Sequence, residues 1–356
     1  MLTQNLESIH VDPIYLFITG GAGSGKSHLI KTICHTAVKT FRHARSNANL
    51  PTILLMAPTG VSAINISGTT VNTALAIPKE TGENLPAMSH QKKTHMRVSL
   101  SELKLIIIDE LSMISNITLL QIHQPLKDIF GASASQLFAG LSVVVVGDLY
   151  QLPPVRRKPI FESFKNDSYN LCHPWHVFQI KELTEIMRQR DDQKFSEALN
   201  RFRTASQTEE DIKYINSRSI SVSTDNYPFD ALHIWAENYP VNEHHNNNLE
   251  QLNTPLFVLG ASHQYPANVS KHDTDRALLR GRSETGGLDY EVKIKEGARI
   301  MLTTNLDIAD RLINGQMGTV VKIHFDRVPQ KPAVVDVKFD DNAAGHTKQC
   351  FRWATC

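Results

Sequence analysis

An α/β fold built on a parallel sheet is what this sequence predicts, on three observations. Short, continuously apolar segments recur through the first half of the chain: Ile14 to Ile18, Thr52–Ala57, Leu105–Ile108 and Val143–Val146. Helical or polar stretches separate them, and a strand that is apolar on both faces must be covered on both, as in successive βαβ units. Each run also ends in glycine or polar residues, at the carboxyl ends of strands where ligands gather in such sheets.

The first run leads into Gly20-Gly21-Ala22-Gly23-Ser24-Gly25-Lys26-Ser27, a match to G-x-x-x-x-G-K-[ST]. A helical pattern follows over His28 to Lys39, with Leu29, Ile30, Ile33 and Ala37 on one face. Glycines let the backbone curl so that successive N–H groups face phosphate oxygens, and the helix N-terminus adds its dipole. In that loop Lys26 reaches the β- and γ-phosphates and the Ser27 hydroxyl holds Mg²⁺. The second run ends in Pro58-Thr59-Gly60. The third ends in Asp109-Glu110, two adjacent carboxylates at the tip of a buried strand. In a nucleotide hydrolase Asp109 holds Mg²⁺ through water, and Glu110 orients and activates the attacking water. The fourth ends in Gly147-Asp148, followed by Gln151, whose amide can sense a γ-phosphate.

Composition bounds the rest. The 356 residues suffice for two or three domains, and 41% hydrophobic with 21% charged residues is ordinary for a globular chain. No apolar run approaches the roughly 18 residues of a membrane span, and no signal-peptide pattern is present, so no membrane partner is expected. Cys34, Cys172, Cys350 and Cys356 form no C-x-x-C pair, which fits a reducing, intracellular setting. The sixteen histidines, including His244-His245 and the Cys172–His176 run, match no zinc spacing. A formal net charge of +1 limits any nucleic-acid contact to a local groove. The clusters Lys92-Lys93, Arg156–Lys158 and Arg276–Arg282 read as solvated surface.

Taken in order, the loop Gly20–Ser27, Ala57–Ala63, Gly68–Asn72, Ile107–Met113, Val146–Val155 and Leu183–Gln189 resemble the Pif family of 5′→3′ DNA helicases, which includes the helicase domains of rolling-circle transposons. Phe138-Ala139-Gly140 is similar to that family's Phe-Gly-Gly element. The resemblance implies a P-loop NTPase with tandem RecA-like domains and a small inserted Src-homology-type β-barrel. It implies ATP and Mg²⁺ as cofactors, with single-stranded DNA and forked duplex DNA as partners, in DNA repair, recombination or telomere maintenance, in the nucleus. Arg188 matches the family's Arg that reaches the γ-phosphate from the second domain, a role worth about 10³–10⁵ in rate. Pro58, Thr59, Gly60, Thr69, Thr70 and Asn72 match segments that line the family's single-strand groove. Threonines there can bond phosphates, or serve only as turn and N-cap residues. The family usually has His where this chain has Asn72.

After Leu183 the composition turns polar and a second unit is expected to begin. Phe195–Phe202 reads as a helix, Leu232–Ala236 as a strand and Asn238–Leu252 as a helix. Ala298–Leu302, Thr319–Ile323 and Val334–Phe339, with turn signals at Asn314-Gly315 and Gly318, read as a small antiparallel barrel. The expected domains are 1–180, a RecA-like ATP-binding domain; 181–290, a second and incomplete one; 291–345, the barrel; and 346–356, a tail. The chain resembles a family member truncated at both ends: it lacks the His-Lys-Ser-Gln-Gly segment and its Arg beyond the barrel, and the family's adenine-reading Gln region would lie upstream of Met1, Gln4 being too close to the loop. Two functions stay open. One is ATP-driven translocation with unwinding; the other is an ATP- and DNA-binding remnant. A GTPase or kinase is less consistent, since no Asn-Lys-x-Asp motif occurs and Gly147–Val155 would go unexplained.

Overall fold

The computed structural model describes residues 12–41, 47, 49–78, 87–131, 136–163, 173–221, 227–228, 231–260, 291–307, 310–325 and 332–346. Gln4, Cys172, Arg276–Arg282 and all of the tail except His346 lie outside them. The chain divides into two compact units, Met1–Ser219 and Ile220–Cys356.

The first unit is a six-stranded sheet made of β1 (Tyr15–Gly20), β2 (Ile53–Ala57), β3 (Thr69–Thr70), β4 (Leu105–Ile108), β5 (Ser142–Gly147) and β6 (Gln179–Leu183), in the order β3-β2-β4-β5-β1-β6. Every neighbouring pair is parallel. Its helices are α1 (Lys26–Phe41), α2 (Gly60–Asn65), α3 (Val71–Ala74), α4 (His90–Ser99), α5 (Asn116–Phe130), α6 (Gln193–Arg203) and α7 (Glu209–Asn216). The period-2 geometry of strands sorts the apolar runs onto two cores. Ile106, Ile108, Val143 and Val145 pack on one face with α4 and α5 residues such as Met96, Leu119 and Ile122. Leu105, Ile107, Val144 and Val146 pack on the other with Ile30, Ile33 and Ala63 from α1 and α2. Each fully buried side chain of this size stabilises by about 1.5–3 kcal/mol, and Leu105–Ile108 of β4 and Val143–Val146 of β5 are apolar at every position.

Strand β6 was not among the expected apolar runs. It is an edge strand carrying Lys181 and Glu182 with Ile180 61% exposed, so it lacks the pattern that announces a central strand. It pairs with β1, and α6 and α7 follow in the same unit. The division therefore falls after Ser219, later than the change of composition at Leu183. The Phe138-Ala139-Gly140 element has three consecutive left-handed residues, φ 47°, 58° and 74°. A non-glycine residue there costs about 1–2 kcal/mol. Burial of Phe138 against Tyr15 and Phe178 offsets that cost, and its N–H donates to Nδ1 of buried His123 at 3.0 Å. Burial pushes His123 down to about 4, so its ring stays a neutral acceptor.

In the second unit, α8 (Asn238–Gln251) precedes β7 (Phe257–Gly260), which pairs antiparallel with β8 (Glu291–Ile294). Strands β9 (Arg299–Met301), β10 (Met317–Phe325) and β11 (Pro332–Phe339) form an antiparallel three-stranded sheet. Ile294, Ala298, Val320 and Ile323 make a small core with Leu249, Leu252 and Phe257. Leu232–Ala236, expected as a strand, is irregular. His233 and Trp235 turn onto His244 of α8, with ring centroids 4.5 and 4.8 Å away, while Leu232 and Ile234 are 82% and 85% exposed. An apolar run becomes a strand only where a neighbour offers backbone partners, and no described strand pairs with it. Among the described residues, no helix is long and apolar enough to cross a membrane.

Candidate active site

The carboxyl edge of the first sheet gathers the chemistry. Strand β1 ends in the loop Gly20–Ser27, and α1 begins at Lys26. Gly23 and Gly25 take φ +82° and +87°, a backbone that side chains rarely adopt. A Cβ on Gly20 would sit 2.8 Å from the backbone carbonyl oxygen of Leu183, so glycine is required there too. Lys26 Nζ donates to the carbonyls of Gly20 and Gly21 at 2.8 and 2.9 Å. Burial lowers the Lys26 pKa, and the carboxylates of Asp148, Glu110 and Asp109 oppose that shift. Ser27 is exposed on the first turn of α1.

Asp109 and Glu110 follow β4 directly. Asp109 is 5% exposed; its N–H donates to Met56 O, and its Oδ1 accepts from Glu110 N at 2.9 Å. Burial pushes the Asp109 carboxyl up. Glu110 is raised by burial and then by Asp109 beside it. Its backbone is left-handed, φ 52° and ψ 49°. The turn is tight because β5 closes against it: a Cβ on Gly147 would lie 2.6 Å from Leu111 N. That contact explains the glycine ahead of Asp148.

Gln151 stands at the far end of the next turn, its N–H bonded to Asp148 O and its side-chain amide donating to Asp148 Oδ2 at 3.3 Å. Arg188 was expected to come from a second domain. It lies in the first unit, and its backbone is laid on the phosphate loop: the N–H groups of Met187 and Arg188 donate to Gly23 O at 2.8 and 3.2 Å. A Cβ on Gly23 would be 2.7 Å from Arg188 Cβ. The Arg188 side chain is exposed.

Two residues without an assigned role also enter the site. Asp148, 1% exposed, accepts a fork from Arg203 of α6, Nε at 2.7 Å and Nη2 at 2.8 Å. Asp148 stands in the Gly-Asp-x-x-Gln segment already singled out, but Arg203 is 55 residues away and carries no local signal.

The nucleic-acid candidates divide. Thr59 caps α2, its hydroxyl accepting from Ser62 N at 3.3 Å, and Thr70 caps α3 in the same way through Thr73 N. Each capping hydroxyl also meets a second hydroxyl, Thr59 that of Ser62 and Thr70 that of Thr73 at 2.8 Å. Pro58 and Gly60 flank Thr59 at the end of β2, and Thr69 pairs with Met56 in β3. Asn72 is occupied locally, its amide donating to Ile77 O at 3.3 Å. An open groove of about 640 Å³ runs from Thr59 and Asn65 past Glu110 and Met113 to Tyr150–Pro153. It joins Thr59 to Glu110 and Gln151, whereas Thr69, Thr70 and Asn72 do not line it.

This architecture has known counterparts. The chain is 27% identical over 311 residues to the ATP-dependent DNA helicase PIF1 of Xenopus laevis, spanning 86% of this chain and 44% of that protein. It is 26% identical over 314 residues to the ATP-dependent DNA helicase RRM3 of Saccharomyces cerevisiae, spanning 86% and 40%. The chain thus spans less than half the length of both relatives. The crystal structure of a Pif1 helicase from Bacteroides in complex with ADP-AlF3 and single-stranded DNA superposes with TM-score 0.60 and 26% identity, over 93% of this chain and 70% of that one. Pif1 helicase from Candida albicans shares the fold with TM-score 0.65 at 22% identity, over 92% and 73%. The family model of the PIF1-like helicases matches residues 3–213, from ahead of the phosphate loop into α7, and the chain belongs to that family.

Proposed function

We propose that this chain hydrolyses ATP and uses the energy to move 5′→3′ along single-stranded DNA, unwinding forked duplex as it goes. The observation that carries this reading is the convergence of Lys26, Asp109, Glu110 and Gln151 at one sheet edge, with the Arg188 segment bonded to Gly23 O. The site fits nucleotide phosphates. Ser24 Oγ, in a residue 7% exposed, has no hydrogen-bond partner among the described residues, in a loop whose glycines leave room for a close backbone approach. The family relative from Bacteroides binds ADP-AlF3 and single-stranded DNA, which supports the same ligands here.

The roles follow from the chemistry. Lys26 exchanges its two carbonyl partners for β- and γ-phosphate oxygens. Ser27 and Asp109 supply the oxygen donors for Mg²⁺, which when bound neutralises phosphate charge. Glu110 takes a proton from the attacking water, helped by the pKa that burial raises. Gln151 senses the γ-phosphate, and the Arg188 guanidinium stabilises charge on the transferring group. Thr59 holds DNA phosphate in the groove that also reaches Glu110, while Thr69, Thr70 and Asn72 serve the neighbouring part of the track. On this reading the first unit, Met1–Ser219, is the ATP-binding lobe, and the chain beyond it carries a second lobe and, over 291–345, a barrel, acting in DNA repair, recombination or telomere maintenance in the nucleus.

The second reading, an ATP- and DNA-binding remnant without unwinding, draws on one observation: Leu232 and Ile234 stand exposed where a strand of the second lobe is expected. ATPase activity measured with and without single-stranded DNA, together with strand displacement on a forked duplex, tests both. Stimulated hydrolysis with displacement supports the motor. Nucleotide and DNA binding without either supports the remnant, and no nucleotide binding overturns both.

A further inference from the structure

The pair Asp148–Arg203 is a fully engaged ion pair beside the phosphate loop, and none of the proposed roles uses it. Four donors converge on the Asp148 carboxylate: Nε and Nη2 of Arg203 at 2.7 and 2.8 Å, the Tyr150 N–H at 3.2 Å and the Gln151 amide at 3.3 Å. The Arg203 guanidinium also lies over the Tyr150 ring, 4.7 Å from its centroid. Its stem passes the phosphate loop, where a Cβ on Gly21 would come within 3.8 Å of Cδ and 3.5 Å of Asn200 Oδ1. Helix α6 therefore touches the loop and the end of β5 with one side chain.

A carboxylate so deeply buried cannot stand without a cation. Arg203 is the cation bonded to it, and Lys26, held on the Gly20 and Gly21 carbonyls of the loop that the Arg203 stem passes, is a second cation whose charged form it favours. We propose that Arg203 is a positioning residue: by engaging both oxygens of Asp148 it leaves Lys26 free for the nucleotide phosphates, and through Asp148 it fixes the Gln151 amide beside them. The inference rests on the ATP-hydrolysing reading above. It differs from a plain structural tie between α6 and β5, because it assigns the pair two separable effects. Competition for Lys26 acts on nucleotide affinity, whereas the Gln151 anchor acts on turnover. A planar fork can engage two oxygens and a ring face at once, which an ammonium cannot.

The test uses the full chain with Arg203→Gln, Arg203→Lys, Asp148→Asn and the double variant, reading ATPase kcat and KM with single-stranded DNA and the affinity of a fluorescent ADP analogue. Arg203→Gln leaves Asp148 charged and free to pair with Lys26, so KM for ATP and the ADP dissociation constant should rise about tenfold or more, the order seen when one member of a buried pair is removed. Asp148→Asn in that background removes the competing charge. Both constants should return to within about threefold of wild type, because the pair acts as a unit, while kcat stays low because Gln151 has lost its anchor. Arg203→Lys keeps the charge, and should hold KM near wild type with reduced kcat. Constants that stay high in the double variant overturn the proposal, since Arg203 would then act on the nucleotide itself or on the fold. Unchanged constants in Arg203→Gln overturn it as well. A wild-type chain that binds no nucleotide overturns the ATP-hydrolysing reading and this inference together, whereas an active wild type with an unresponsive Arg203→Gln overturns this inference alone.

Discussion

Replacing Glu110 by Gln separates binding from chemistry at this site. The amide has nearly the same shape and inherits the same left-handed backbone, φ 52°, so the turn against Gly147 is undisturbed. What is lost is the proton acceptor. Positioned acid–base groups contribute about 10²–10⁴ in rate, which at roughly 1.36 kcal/mol per tenfold is about 3–5 kcal/mol of barrier. Nucleotide affinity should be kept or improved, because the substitution removes one of three carboxylates facing Lys26 and relieves Asp109 of its charged neighbour. A stability effect follows from the raised pKa of Glu110. The folded protein holds that proton to higher pH than the unfolded chain, so stability falls as pH rises through the window above the ordinary carboxylate pKa and stays lower at neutral pH. The Gln variant has no such loss and should melt higher than wild type at neutral pH. Phosphate release with single-stranded DNA, nucleotide binding by fluorescence and a thermal melt at two pH values check all three. Turnover within twofold of wild type would show that another group activates the water, and a lower melt would refute the electrostatic argument.

Lys26→Ala should abolish nucleotide binding or turnover, measured by the same fluorescence titration, because it removes the ammonium that the loop carbonyls now hold at 2.8 and 2.9 Å. Gly147→Ala forces a methyl against Leu111 N at 2.6 Å; urea unfolding should show a loss of about 1–3 kcal/mol, as overpacking costs, with Glu110-dependent turnover reduced. His123, folded at about 4 against 6.5 unfolded, binds its proton first in the unfolded chain. Stability should therefore fall as pH drops from 6.5 towards 4, and urea titrations of His123→Asn should show a flatter profile over that range. Binding of labelled oligonucleotides should be nearly independent of base composition and weaken steeply with salt, since phosphate contacts dominate such grooves; a strong preference for one sequence would contradict it.

The sequence by itself determined what depends on local pattern. Runs apolar on both faces, such as Leu105–Ile108 and Val143–Val146, have one stable placement in a globular chain, the centre of a covered sheet, and they are found there. The phosphate loop and the Asp109-Glu110 pair were legible because their spacing relative to a strand is their chemistry. The antiparallel strands between residues 299 and 339 were legible from alternation and turn residues. Tertiary structure alone decided the rest. Strand β6 is polar because it is an edge, so only its pairing with β1 reveals it. Arg188 could be matched to a role, but its seat on Gly23 O depends on where the chain returns after β6. Leu232–Ala236 has the composition of a strand, yet no partner among the described strands satisfies its backbone. Arg203 had no motif at all: it meets Asp148 because α6 folds back over the phosphate loop, and a contact across 55 residues is set by packing, which one-dimensional pattern does not encode.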